Sequence, residues 1–261
     1  MAFCFLVCQP SSAFCGFYFQ AHVRTAINIG AILLSSRITQ NPSRHQSIRP
    51  ASVPRSDRAY LLFLVTGLGG AILWSAIAPH DWPTWFLEAA PVLITVPLLV
   101  ATYRRFPLSR LAYGMIGVRA LILLIGAHYT YAEVPLFNWL RDSYEHSRNH
   151  YDRLGHLAQG FFPAIIAREI LLWRSPLKPG KWLFFLVTCV CLALSAVYEM
   201  IEWWVALVAD DGAVTFLGTQ GDPWDTQWDM FLAGLGAIAS QALLGKAHDR
   251  SLSARTAHLE Q

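Results

Sequence analysis

The sequence predicts an all-α fold, a polytopic transmembrane helix bundle of about six spans with both termini in the cytoplasm. Three observations carry that expectation. Of 261 residues, 54% are hydrophobic and only 14% charged, where soluble domains carry about a quarter charged residues; mean hydropathy is +0.37. From residue 59 onward, apolar windows long enough to cross a bilayer recur along the chain. Basic residues fall in alternate loops between those windows, the pattern that sets orientation in a membrane.

Taken in order, residues 1–57 differ from the rest. A Cys- and Phe-rich start leads to a short apolar run, Ala26 to Leu34, and then to a Pro- and Arg-rich stretch, Thr39 to Ser56. The run is shorter than the roughly 20 residues a spanning helix needs, and no small-residue cleavage site follows a basic start. The segment reads as a poorly ordered cytoplasmic extension, compatible with a start codon placed too early. The membrane domain follows over 58–246, with spans near 59–78, 85–103, 111–129, 154–173, 182–208 and 226–245, and then a cytoplasmic tail, 247–261. The fifth span is long enough to tilt or to project beyond the lipid.

Arg55 and Arg58 precede the first span, Arg104, Arg105 and Arg110 fill the second loop, and Arg174, Lys178 and Lys181 fill the fourth. Lys246 and Arg250 follow the last span. The first loop has no Lys or Arg, the fifth (Ala209 to Asp225) has only acids, and the third mixes both signs. The first, third and fifth loops are therefore expected on the non-cytoplasmic, periplasmic face of the membrane. The net charge of +3 is dispersed over short loops, which gives no basic patch for nucleic acid; the expected partner is the lipid bilayer. None of the five Cys residues has zinc-site spacing, and Cys189 and Cys191 read as small hydrophobes within a span.

The outer loops hold most of the candidate chemistry. Asp152 and His156 lie four apart, Glu199 and Glu202 three apart, and Asp225 and Asp229 four apart, so each pair shares a helix face. Mixed His and carboxylate ligands suit Zn, Mn or Fe, and such an ion activates water at neutral pH beside a spare carboxylate base. Asp152, His156, Glu199 and Asp229 are the expected ligands. Glu202 or Asp225 is the expected base, and His128 a supporting acid. Arg119, Glu133, His150, Gln220 and Asp222 are the expected binding residues.

Plain readings stand beside these. Asp222 before Pro223 fits a helix N-cap, with Asp225 three residues on as a capping-box partner. His150, His128 and Glu133 fit surface positions, and Tyr129 and Tyr131 an interfacial aromatic belt. Glu199 lies well inside its span, where a charge is costly unless paired or functional. An Arg119–Glu199 ion pair joining two helices would explain both residues without chemistry, whereas Arg119 on a bound anion would be a substrate clamp. Ala233, Gly236, Ala237 and Ser240 space small residues for close helix approach, which predicts a central position for the last span.

Four runs carry a resemblance. Ile125-Gly-Ala-His-Tyr-Thr-Tyr-Ala-Glu-Val-Pro135, Arg148-Asn-His-Tyr-Asp-Arg-Leu-Gly-His156, Tyr198-Glu-Met-Ile-Glu-Trp203 and Leu217-Gly-Thr-Gln-Gly-Asp-Pro-Trp-Asp225 closely resemble the YjdF family of bacterial inner-membrane proteins, over about residues 58–245. The resemblance implies a multi-pass inner-membrane protein and no established activity. It departs at Leu123 or Leu124, where many members have a His before Ile-Gly. A weaker pattern, with Asp152, His156, Glu199, Glu202, Asp225 and Asp229 as counterparts, is similar to the VanZ-like membrane proteins, which implies a link to the cell envelope.

Three functions are compatible with this reading. The leading one is a metal-dependent hydrolase or head-group transferase acting at the outer leaflet on a lipid or envelope precursor. The second is a small transporter or proton-coupled carrier, though no inverted repeat or pair of broken helices supports it. The third is a non-catalytic, partner-binding envelope protein.

Overall fold

Long apolar segments in lipid satisfy their backbone groups internally, and they do so as helices. The computed structural model describes residues 55–208 and 219–259, all within one of the two units into which the chain divides, Pro50–Gln261. The extension expected over 1–57 lies outside the described residues, except for 55–57, which open the first helix. Residues 209–218 of the fifth loop lie outside them too.

Seven α-helices are described: α1 (Arg55–Ser75), α2 (Trp82–Thr102), α3 (Arg110–Tyr129), α4 (Pro135–Ser143), α5 (Tyr151–Arg174), α6 (Lys181–Val208) and α7 (Asp225–Leu259). A 3₁₀ turn, Tyr131–Glu133, joins α3 to α4. Their starts are encoded locally. The Asp81 carboxylate accepts the Thr84 N–H at 2.8 Å and caps α2 ahead of Pro83, and hydrogen bonds from Thr84 hold its pKa below the usual carboxylate range. Ser109 caps α3 by accepting from Ala112 N–H at 3.2 Å.

Five helices, α1, α2, α3, α6 and α7, are long and apolar enough to cross a membrane. The fourth expected span, 154–173, forms at full length as α5 but carries Asp152, Arg153, Arg168, Glu169 and Arg174. Its place in the fold explains why it tolerates them. α5 packs on α3, α6 and α7, and its charged residues Asp152, Arg168 and Glu169 are buried among those helices. At about 1.5 Å per residue, the 28 residues of α6 and the 35 of α7 exceed a hydrocarbon layer of about 30 Å. α7 continues as helix through the region read as a tail.

The seam between α5 and α7 is the closest in the bundle. A Cβ on Gly160 would lie 1.7 Å from the Ala233 carbonyl oxygen, and one on Gly236 2.1 Å from that of Leu157. Ala233, Ala237 and Ser240 are fully buried beside them. The small-residue spacing thus does place the last span centrally. Large side chains such as Phe63 and Val208 point outward, as lipid-facing residues do.

The ends of the bundle differ. α3 and α6 finish, and α2, α5 and α7 begin, at one end, where the candidate residues gather. At the other end, Ser109 donates its N–H and hydroxyl to Glu169 at 2.7 and 2.6 Å. Arg168 reaches His248 Nδ1 at 2.8 Å, and His248 Nε2 lies 3.1 Å from Glu169. Arginine can only donate, so the His248 proton resides on Nε2 and is donated to Glu169. Arg168 also pairs with Asp249 at 2.7 Å. This network ties α3, α5 and α7 together without an unmet partner.

Candidate metal centre

α5 opens at the junction of four helices, and its first two turns present Asp152 and His156 inward, with 8% and 4% exposure. His156 Nε2 lies 3.5 Å from Asp152 Oδ1 and 3.9 Å from Asp229 Oδ2 on α7. On its other side, Nδ1 lies 3.6 Å from Glu199 Oε1 on α6. These separations exceed those of good hydrogen bonds. They approach the ligand–ligand edge of a tetrahedral site, about 3.4 Å for metal–ligand bonds of about 2.0–2.2 Å. His156 Nδ1, Glu199 Oε1 and Asp229 Oδ1 are buried and make no hydrogen bond among the described residues.

Two groups of ligand atoms, each within 4.8 Å of one another, have the geometry to hold an ion: Asp152, His156 and Asp229; and His156, Glu199 and Glu202. The four expected ligands are thus brought together, with Glu202 beside them. The same imidazole belongs to both groups. An ion at Nε2 with Asp152 and Asp229 leaves Nδ1–H facing Glu199, the arrangement in which a carboxylate orients a metal-bound histidine.

Arg148 sets the outer boundary. Its Nη1 hydrogen-bonds the Asp225 carboxylate, and its Nη2 lies 3.4 Å from Asp152 Oδ2. Asp225 therefore turns toward Arg148, and the expected capping box is not formed. Asp222 caps in a different way, accepting the Trp224 N–H at 2.9 Å while its other oxygen takes Arg153 at 2.7 Å. Gln220 and Asn149 exchange amide hydrogen bonds at 2.8 and 2.9 Å, which clamps the approach to α7 onto the start of α5. The backbone there turns through positive φ at Gln220 (48°) and Gly221 (84°).

Inward of His156 is a cavity of about 10 Å³, room for about one water. Glu88, Arg119, Tyr131, Tyr198 and Glu202 line it together with Asp152 and His156. The expected Arg119–Glu199 ion pair is not formed. Glu199 faces His156, and it is Glu202, three residues on, that shares the cavity with Arg119, whose Nη1 is buried without a hydrogen-bond partner among the described residues. Tyr131 is likewise no belt residue. It is 8% exposed, and its ring fills the notch left by Gly126 and Gly155, where a Cβ would lie 2.2 and 2.8 Å from ring carbons. Tyr129 packs at the edge of Trp74 and His128.

Three expected residues stand apart. His128 Nδ1 sits 3.1 Å from the Ser75 carbonyl and its ring packs on Trp74, so it joins α3 to α1. Glu133 is exposed and accepts from Asn138 at 3.0 Å. His150 is half-buried at the start of α5, where burial, Arg153, Arg148 and His146 together lower its pKa. Sequence reasoning passed over Arg148 and Glu88. Arg148 stands four residues before Asp152, a helical pairing distance, and Glu88 is the only acid in an apolar span, a signal as strong as that of Glu199.

Six carboxylates, those of Glu88, Asp152, Glu199, Glu202, Asp225 and Asp229, thus gather with two guanidiniums, Arg119 and Arg148. Buried negative charge in that excess requires protons or a cation.

Known proteins bear on this arrangement. The family model described as "Predicted membrane protein (DUF2238)" matches residues 60–250. The chain is 50% identical over 181 residues to Inner membrane protein YjdF of Escherichia coli (strain K12), covering 69% of this chain and 87% of that protein. No solved structure matches.

Proposed function

The chain belongs to the YjdF family of multi-pass membrane proteins, and we propose that it is a divalent-metal-dependent hydrolase or head-group transferase of the inner membrane, acting from the periplasmic face on a lipid or envelope precursor. The observation that carries the reading is His156 between Asp152 and Asp229, at separations longer than good hydrogen bonds and near those of shared metal ligation. The orphaned Asp229 Oδ1 and the carboxylate excess support the same cation.

Asp152, His156 Nε2 and Asp229 would hold the ion, and the chemistry it supplies is activation of water at neutral pH. Glu199 orients His156. Glu202, in the same cavity, is the expected proton acceptor. Arg148 fixes Asp152 from behind, so that the ligand keeps one oxygen toward His156. The cavity has room for about one water, so the body of a substrate would stay outside it.

The periplasmic placement rests on the loop charges, since the loops at the site end are those poor in Lys and Arg or balanced by acids. The α5–α7 seam counts against a carrier. Gly160 and Gly236 put backbone on backbone between the site and the Glu169–His248 network, which leaves no gap to open and close along that path.

The test uses spheroplasts and inverted vesicles containing the protein or its Asp229→Asn variant, with phospholipids and envelope precursors followed by mass spectrometry. The expected result is a lipid or precursor species converted by the wild type and not by the variant, with conversion stopped by an impermeant chelator in spheroplasts only. Identical profiles with and without the protein would count against an enzyme, and block in inverted vesicles alone would reverse the orientation.

A further inference from the structure

α4 runs between the end of α3 and the start of α5, so it lies at the level where the bundle meets the bilayer surface. Its Leu136 and Trp139 are each 61% exposed and, three residues apart, share one face, the arrangement of a helix anchored at the interface. The adjoining face is spaced at i, i+3, i+4 and i+7: Phe137, Leu140, Arg141 and, at the C-cap, Tyr144. With His146 and His150 these residues line a pocket of about 260 Å³, far larger than the cavity at His156.

The pocket combines two chemistries. Its floor is the apolar body of Phe137, Leu140 and Tyr144. Its nitrogen donors are Arg141, His146 and His150, with the His146 and His150 rings 5.3 Å apart. Among the described residues Arg141 gives its Nε to Asp142, at 2.9 Å, and neither Nη has a hydrogen-bond partner, so both can serve a ligand. No side-chain hydrogen bond involves the imidazole of His146 or His150 among the described residues. An occupant must therefore bring an oxyanion for the nitrogens and a hydrocarbon portion for the floor, and must reach the pocket along the membrane surface.

We propose that this pocket seats one anionic phospholipid, its phosphate at Arg141, His146 and His150 and its glycerol and first methylenes on Phe137, Leu140 and Tyr144. Charge selects the class: a zwitterionic headgroup would bring an ammonium toward the Arg141 guanidinium. The seat needs no ion at His156, so it stands or falls apart from the metal reading.

The experiment is native mass spectrometry of the full chain released from nanodiscs of equal phosphatidylglycerol and phosphatidylcholine. The wild type is expected to retain one phosphatidylglycerol in preference to phosphatidylcholine by about fivefold, the effect of one cation near an anionic surface. Arg141→Gln/His146→Gln/His150→Gln brings the ratio to one. Arg141→Gln alone, on a half-exposed side chain, removes most of it, which guards against a misfolded triple variant. Equal retention of both lipids by the wild type, or an unchanged preference in the folded single and triple variants, would overturn the proposal.

Discussion

Arg148 shows what one residue does at this site. It is 4% exposed and reaches Asp152, Asp222 and Asp225, so it neutralises carboxylates contributed by two helices and the turn before α7. Removing one partner of a buried ion pair leaves the other as uncompensated charge and costs about 3–5 kcal/mol. Arg148→Gln is accordingly expected to lower the thermal unfolding midpoint in detergent clearly, whereas Arg141→Gln, on the exposed pair with Asp142, is expected to change it little. Equal midpoints for the two variants would show that Arg148 is not the counter-charge described. Residue spacing made the helix pairs Asp152/His156, Glu199/Glu202 and Asp225/Asp229 legible in the sequence, because a helix face depends on local geometry alone. The partner of Arg119 was not legible. It depends on which of Glu199 and Glu202 points to α5 and which to the cavity, a rotation set by packing among α2, α5 and α6.

At the scale of elements, the α5–α7 seam is the most demanding contact. A methyl on Gly160 would enter the Ala233 carbonyl, while Gly245, further along α7, has nothing within 4 Å. Overpacking of this kind costs about 1–3 kcal/mol or more. Gly160→Ala is therefore expected to lower thermal stability and to displace Asp152 and His156 relative to Asp229, and Gly245→Ala to be tolerated or slightly stabilising. Equal midpoints would mean that the two helices are not in backbone contact at Gly160. Small residues in α7 announced this seam in the sequence. The 3₁₀ turn that folds Tyr131 under Gly126 and Gly155 did not announce itself, since it rests on Thr130 at φ 60°, a conformation that no local propensity of Thr favours.

For the whole molecule, composition and hydropathy made the polytopic bundle legible, because lipid leaves a helix few alternatives. α5 differs from the other spans in its charges, which are tolerated because neighbouring helices, rather than lipid, surround it. The same enclosure concentrates six carboxylates around His156 with two guanidiniums among the described residues, and the proposed divalent cation would balance them. The most direct measurement is elemental analysis of detergent-purified full-length protein, beside an Asp152→Ala/His156→Ala variant checked for folding by gel filtration and circular dichroism. About one equivalent of Zn, Mn or Fe per chain is expected in the wild type and is lost in the folded variant. A folded wild type that carries no such metal and takes up none on incubation, or a variant that keeps its full complement, would contradict the proposed site.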